Sequence, residues 1–277
     1  MWSKIAIRVT SALIGAVFVI ALIFSNPIYL SAVVSVASLI AMYELHTSFS
    51  QQKKISLLIL GYIFAAVILS SLFIPGFNLL QSSNVVYLLM LYLMLLCIGA
   101  VIFNERIKLN DVLTSFFSLV YCVIFLCHLA LIHQMEHGAI LIFIPLIGAW
   151  MTDTFAYFGG LTFGKHKLIP KISPNKTVEG SISGVLGCVL SAYVYAYIIS
   201  FFGYKADLLV LGLIAFGCGI LSQFGDLAAS LIKRECGVKD FGNLIPGHGG
   251  ILDRIDSLIF ITPAVYYFLQ MFEVIYK

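Results

Sequence analysis

Three aspartates stand out in a chain that is otherwise largely hydrocarbon. Asp226 lies in Gly225-Asp-Leu-Ala-Ala-Ser-Leu-Ile-Lys-Arg234, and Asp253 and Asp256 lie in Ile251-Leu-Asp-Arg-Ile-Asp256. Asp226, Ser230 and Lys233 are spaced four and three apart, which sets them on one helical face. Asp226 is then about 10 Å deeper along that helix than Lys233. Asp253 and Asp256, three apart, project from one side of the next helix. Magnesium favours a few carboxylate oxygens, retained waters and substrate phosphates over a full protein cage. Asp226 and Asp253 could hold such an ion, with Asp256 bound directly or just behind them. Lys233, Arg234, Lys239 and Arg254 would then surround it with positive charge for a polyphosphate. Hard carboxylates without a cysteine and histidine set argue against zinc. Phosphoryl and nucleotidyl transfers use this combination of metal, cations and a rigid frame. The turn Pro246-Gly-His-Gly-Gly250 offers Gly249 and Gly250 for close backbone approach to a ligand. His248 either moves a proton or orders the turn and touches phosphate. The bland reading of two acids in a first turn is attraction to the helix dipole, worth less than about 1 kcal/mol. It leaves Asp226 unexplained.

A second constellation precedes the first. Asp153 sits in the apolar stretch Trp150-Met-Thr-Asp-Thr-Phe-Ala-Tyr-Phe-Gly-Gly160, about two turns from the cytoplasmic end of its span. An ionisable group there costs roughly 2.5–3.5 kcal/mol, so a partner or a water-filled cavity is expected. The alternative is a helix–helix hydrogen bond between small residues. The following loop, 165–181, carries four lysines, and Pro170 and Pro174 stiffen it. Ser173, Asn175, Lys176 and Thr177 then open the next span with hydroxyls, a cation and free N–H groups. That is the make-up of an anion site for phosphate or carboxylate. Contact with anionic headgroups, about 1 kcal/mol per lysine, is the competing account. Glu179, three residues after Lys176, is expected to pair with it.

The elements that must position these groups are membrane helices. The chain is 61% hydrophobic and 10% charged, with mean hydropathy +1.05, far outside the range of soluble domains. The expected fold class is all-α and polytopic. About 20 apolar residues cross a bilayer, which gives nine spans near 6–24, 27–46, 56–74, 84–103, 112–132, 138–159, 178–202, 207–232 and 250–272. Arg8 followed by an apolar run resembles a signal peptide, but no small-residue cleavage site follows, so the run is read as a retained span. Fourteen lysines and arginines fall on one side of these spans, and only Lys205 and Lys277 on the other. Cytoplasmic loops carry that excess, so the N-terminus is expected inside and the C-terminus outside.

Residues 1–137 read as scaffold and 138–277 as the catalytic region of one integrated membrane domain. Glu44 and His46, at the inner end of the second span, read as interfacial or snorkelling groups. His128, His133 and His137 cluster at the outer end of the fifth span, where interfacial placement is favoured over a metal site. The six cysteines form no CxxC pair and read as small buried hydrophobes.

The run from Ser230 to Asp256 resembles the signature of the phosphatidate cytidylyltransferases, S-x-x-K-R-x4-K-D-x-G-x3-P-G-H-G-G-x-x-D-R-x-D. Every fixed position is met, Asp240 included. Ser173-Pro-Asn-Lys-Thr-Val-Glu-Gly180 and the Asp153 region are similar to that family as well, so the likeness covers roughly 148–257. The resemblance implies conversion of CTP and phosphatidate to CDP-diacylglycerol and pyrophosphate with magnesium. It also implies a carboxylate-held metal centre, with a potassium ion included, falling on Asp226 and Asp253. CTP, phosphatidic acid and the lipid bilayer are the implied partners, without nucleic acid, and a homodimer is compatible with the sequence. The implied location is the plasma membrane of a bacterial-type cell, with the active site at the cytoplasmic face.

Two rivals remain at this level. A CTP-dependent polyprenol or phytol kinase shares the Ser173–Gly180 stretch but not the full Lys233–Asp256 signature. An ion-coupled transporter would use Asp153 and Asp226 for its ion, yet transporters commonly repeat their broken helices in both halves. Here the polar groups are confined to one half. The DGxxAR motif of CDP-alcohol phosphotransferases is absent.

Overall fold

A chain with this much apolar backbone has one economical solution in lipid. Every N–H and C=O must be satisfied within the segment, and the α-helix does so. The computed structural model describes residues 15, 17–49, 55–74, 77, 79–80, 83–245 and 249–277. In chain order the helices are α1 (Pro27–Phe49), α2 (Ile55–Ser70), α3 (Asn84–Ile102), α4 (Leu109–Ser118), α5 (Phe125–Gln134), α6 (Gly138–Leu141), α7 (Phe143–Phe163), α8 (Val178–Ser200), α9 (Leu208–Glu235) and α10 (Leu252–Met271). A π-helical segment, Leu119–Ile124, joins α4 to α5. Four short strands complete the list: β1 (Lys167–Ile169), β2 (Ser173–Thr177), β3 (Lys205–Ala206) and β4 (Ile275–Tyr276).

Among the described residues, six of the expected spans are helices long and apolar enough to cross a membrane. They are Pro27–Phe49, Asn84–Ile102, Leu109–Gln134, Gly138–Phe163, Val178–Ser200 and Leu208–Glu235. The expected third span is the shorter α2, of 16 residues. The expected ninth is α10, whose first turn carries Asp253, Arg254 and Asp256 and so lowers its apolar character. Most of the expected first span lies outside the described residues, although 17–23 are helical. One boundary shifts with a consequence. The helix carrying Asp153 runs on to Phe163 rather than ending near 159. Asp153 therefore lies ten residues, about 15 Å, from the helix end, well beyond the two turns expected.

Contacts divide the chain into two units. The first comprises 1–130 and 238–254, the second 131–237 and 255–277. In the first unit, the π-helical segment is buried along almost its whole length and packs against α1, α2 and α4. Polar groups make specific crossings there. Tyr62 donates to the Leu39 carbonyl and Tyr92 to the Ser115 carbonyl, each at 3.3 Å. Helix α3 behaves differently: Tyr92 and Leu96 are its only buried residues, and Tyr87, Met90, Met94 and Val101 are exposed. Such a contiguous apolar face is a liability in water and an ordinary lipid-facing surface in a bilayer.

The second unit is built on close contact of α7, α8 and α9. Small residues let their backbones approach. Gly184 rests on the Thr152 carbonyl and Gly180 on the Ala156 carbonyl, while Gly219 meets the Val185 backbone. At the far end of α8, β3 pairs antiparallel with β4, and Asp207 N donates to the Val274 carbonyl. This clasp brings Lys205 and Lys277 to the same end of the unit, consistent with their grouping on one side. Asp207 also caps α9, accepting from Leu209 N and Val210 N.

Candidate active site

In the second unit, the stiffened loop expected between α7 and α8 folds into a hairpin, β1 with β2. The hairpin is tied down at both ends. Glu179 accepts from Lys165 N and His166 N, and its Oε1 lies 2.6 Å from His166 Nδ1. Thr177 caps α8 by accepting from Gly180 N at 3.1 Å, and Val178 N donates to the His166 carbonyl. The expected Glu179–Lys176 pair does not form. Lys176 is in a strand, so the helical three-residue spacing that would bring it to Glu179 does not apply.

Lys176 pairs instead with Asp226 on α9. Both line a cavity of about 460 Å³, together with Asp153, Asn175, Gln223 and the helix α7 residues Tyr157 and Leu161. The Gln223 amide donates to the carbonyls of Ser181 and Gly219, both at 3.1 Å, which leaves its oxygen for a ligand. Gly225 explains how Asp226 is aimed. A side chain there would press on the Asp256 carbonyl and the Ser257 backbone, so α9 and α10 meet at this point. Asp226 is thereby brought near Asp256, whose Oδ1 accepts from Ser257 N at 2.8 Å.

The electrostatics of the unit follow from that meeting. Asp153 interacts with Asp226 and Lys176, and Asp256 with Asp226, Lys233 and Asp153. Three carboxylates and two lysines therefore share one field. No group of three or more His, Cys, Asp or Glu side chains is arranged to hold a metal among the described residues. The donors that do converge are hard oxygens, which suit magnesium bound by one or two carboxylates plus substrate phosphates. Cys236, just past α9, offers no thiolate: burial and then Glu235 push its thiol up.

Of the two residues expected to share a metal, Asp226 lies in the second unit and Asp253 in the first. Asp253 is 7% exposed, and its Oδ2 accepts from Phe241 N at 2.9 Å and Gly250 N at 3.0 Å. Gly249 has φ +84°, and a side chain there would press on the same carboxylate. Asp253 thus organises the chain between α9 and α10, whatever else it binds. Gly250 does not face an open ligand space: a side chain there, or at Gly242, would overlap Glu44.

Glu44 and His46 are not the snorkelling groups expected but are 5% and 3% exposed, and the Glu44 carboxylate accepts from Ile251 N at 3.0 Å and Leu252 N at 2.8 Å. Those are donors at the start of α10, which has no intrahelical partner for them. Ser173 and Ser230 are half-buried, while Arg234, Lys239, Asp240 and Arg254 are exposed. His248 lies outside the described residues.

A model of the cytidylyltransferase family matches residues 6–272. The chain belongs to the cytidylyltransferase family. Among curated proteins it is similar to the phosphatidate cytidylyltransferase of Thermotoga maritima, 38% identical over 164 residues, which is 56% of this chain and 58% of that protein. The Bacillus subtilis phosphatidate cytidylyltransferase is 41% identical over 138 residues, half of each chain. That of Staphylococcus haemolyticus is 46% identical over 116 residues, 42% of this chain and 44% of the relative. The matched stretch spans about half the length of these relatives.

Proposed function

We propose that the protein is a phosphatidate cytidylyltransferase, forming CDP-diacylglycerol and pyrophosphate from CTP and phosphatidate. The observation that carries this reading is the Lys176–Asp226 pair on a cavity wall beside Asp153, in a chain of the cytidylyltransferase family. A phosphatidate phosphate oxygen attacks the α-phosphorus of CTP. The bond from that phosphorus to the oxygen bridging toward the β-phosphate breaks, and pyrophosphate leaves with the electron pair. The attacking oxygen is already anionic, so no protein nucleophile is required. Catalysis then rests on alignment and on charge placed where charge develops.

Lys176 and Asn175 on the cavity wall, with Lys233 near Asp256, receive the phosphates. Asp226 and Asp256 would hold magnesium; Asp253, the other ligand expected from the sequence, belongs to the first unit, where it accepts from Phe241 N and Gly250 N. When bound, that ion supplies Lewis-acid neutralisation of the phosphate oxygens. Tyr157 and Leu161 are exposed and line the cavity, which supports entry of the acyl chains from the bilayer on that side. The lysine and arginine asymmetry supports a cytoplasmic site, where CTP is available.

The test is purified protein with magnesium, phosphatidate and α-labelled CTP. Label entering the lipid is the expected result. Label retained in CDP would identify a lipid kinase, and solute flux in proteoliposomes without a lipid product would identify a transporter.

A further inference from the structure

We infer that Glu44 is a positioning residue for the transfer reaction, acting by capping the helix that presents Asp253 and Asp256. This rests on the proposed cytidylyl transfer and names a residue far from its signature in the chain. Three observations carry it. Glu44 accepts two hydrogen bonds at the start of α10, one from each carboxylate oxygen: Oε1 from Ile251 N and Oε2 from Leu252 N. A bidentate carboxylate fixes the direction of both N–H vectors, whereas a single acceptor leaves the turn free to pivot. The carboxylate is buried, at 5% exposure, at the end of a helix that favours negative charge. Finally, the chain makes room for it. Gly242 and Gly250 are both residues whose first side-chain carbon would overlap the Glu44 carboxylate. Those glycines therefore answer to Glu44 rather than to a ligand.

The effect reaches Asp253 directly. The amide of Gly250, immediately before the two capped residues, donates to Asp253 Oδ2 at 3.0 Å. Glu44 and Asp253 thus hold three consecutive amides, 250 to 252, between them. Removing one grip lets the first turn rotate and moves Asp253, and Asp256 is carried one turn further along the same helix. A displacement of about 1 Å in such a frame costs on the order of 10²-fold in rate.

The experiment compares wild-type, Glu44→Gln and Glu44→Ala proteins in nanodiscs, by labelled-CTP kinetics and by hydrogen exchange of the peptide containing Ile251 and Leu252. Glu44→Ala is expected to speed that exchange at least tenfold and to lower kcat by roughly 10–100-fold, with KM for CTP within about twofold. Glu44→Gln, nearly isosteric, keeps one acceptor and is expected between the two, so a poorly folding alanine variant leaves the test intact. Gly250→Ala should lower kcat in the wild-type background and cost far less when Glu44 is already alanine, because the displaced group is gone. Unchanged exchange in both Glu44 variants would overturn the capping role. Faster exchange with normal kcat would reduce Glu44 to a structural cap and overturn the positioning role. Wild-type protein that transfers no label would sink the proposed reaction, while the exchange difference would still decide whether Glu44 caps the helix.

Discussion

At the scale of single residues, the Lys176–Asp226 pair sets the charge balance of the cavity wall. A carboxylate in a largely apolar unit requires a partner, and in this half-buried pair removing one member leaves the other without its counter-charge. Asp226→Asn is expected to lower turnover by about 10³-fold or more, since it removes both the partner of Lys176 and the proposed metal ligand. Substantial magnesium-dependent transfer by the purified variant would refute the proposed metal ligation. Lys176→Ala should lower kcat/KM for CTP by roughly 10²-fold, with Lys176→Arg recovering part of it; steady-state kinetics with varied CTP measures both. The aspartates were legible in sequence because ionisable groups inside a span are costly, and Lys176 because it stands beside Ser173, Asn175 and Thr177 at the start of a helix. Their partners were not. Lys176 and Asp226 are fifty positions apart, and Glu179 seemed the natural partner only under a helical periodicity that stops at Val178.

The elements tell a similar story of lengths being readable and contacts not. Six spans could be located because apolar length alone decides them. The β1–β2 hairpin could not, because its five-residue second strand contains Pro174 and shows no alternation of apolar residues. The glycines of α8 divide by what surrounds them. Gly180→Leu is expected to force α7 and α8 apart, reduce the yield of monodisperse protein and abolish transfer, since its side chain would strike the Ala156 carbonyl. Gly217 of α9 has open space around it. Gly217→Ala should be neutral or stabilising by up to about 1 kcal/mol, because alanine is the better helix former. Thermal unfolding monitored by size exclusion separates the two cases, and equal damage from both would undo the packing argument.

For the molecule as a whole, charge placement predicts the direction of insertion. In a cysteine-free chain, Lys171→Cys should react with an impermeant thiol reagent only after cells are opened, whereas Lys205→Cys should react in intact cells. The reverse pattern would invert the topology and remove the cytoplasmic site. Sequence order is a poor guide to how the chain groups itself: 238–254 associate with 1–130, and although that stretch is polar and glycine-rich, nothing in its composition names its partner. Glu44 shows why. It sits 207 positions before Ile251, whose amide it accepts. At about 5–20 residues per second of synthesis, roughly 10–40 s separate the making of the acid from the arrival of its partner. During that interval the half-made chain must tolerate a carboxylate with no helix to hold. A position at the inner end of a span, within reach of headgroups and water, is where such a wait is cheapest. The address of Glu44 in the sequence therefore records the biosynthetic history of the protein as much as its finished form.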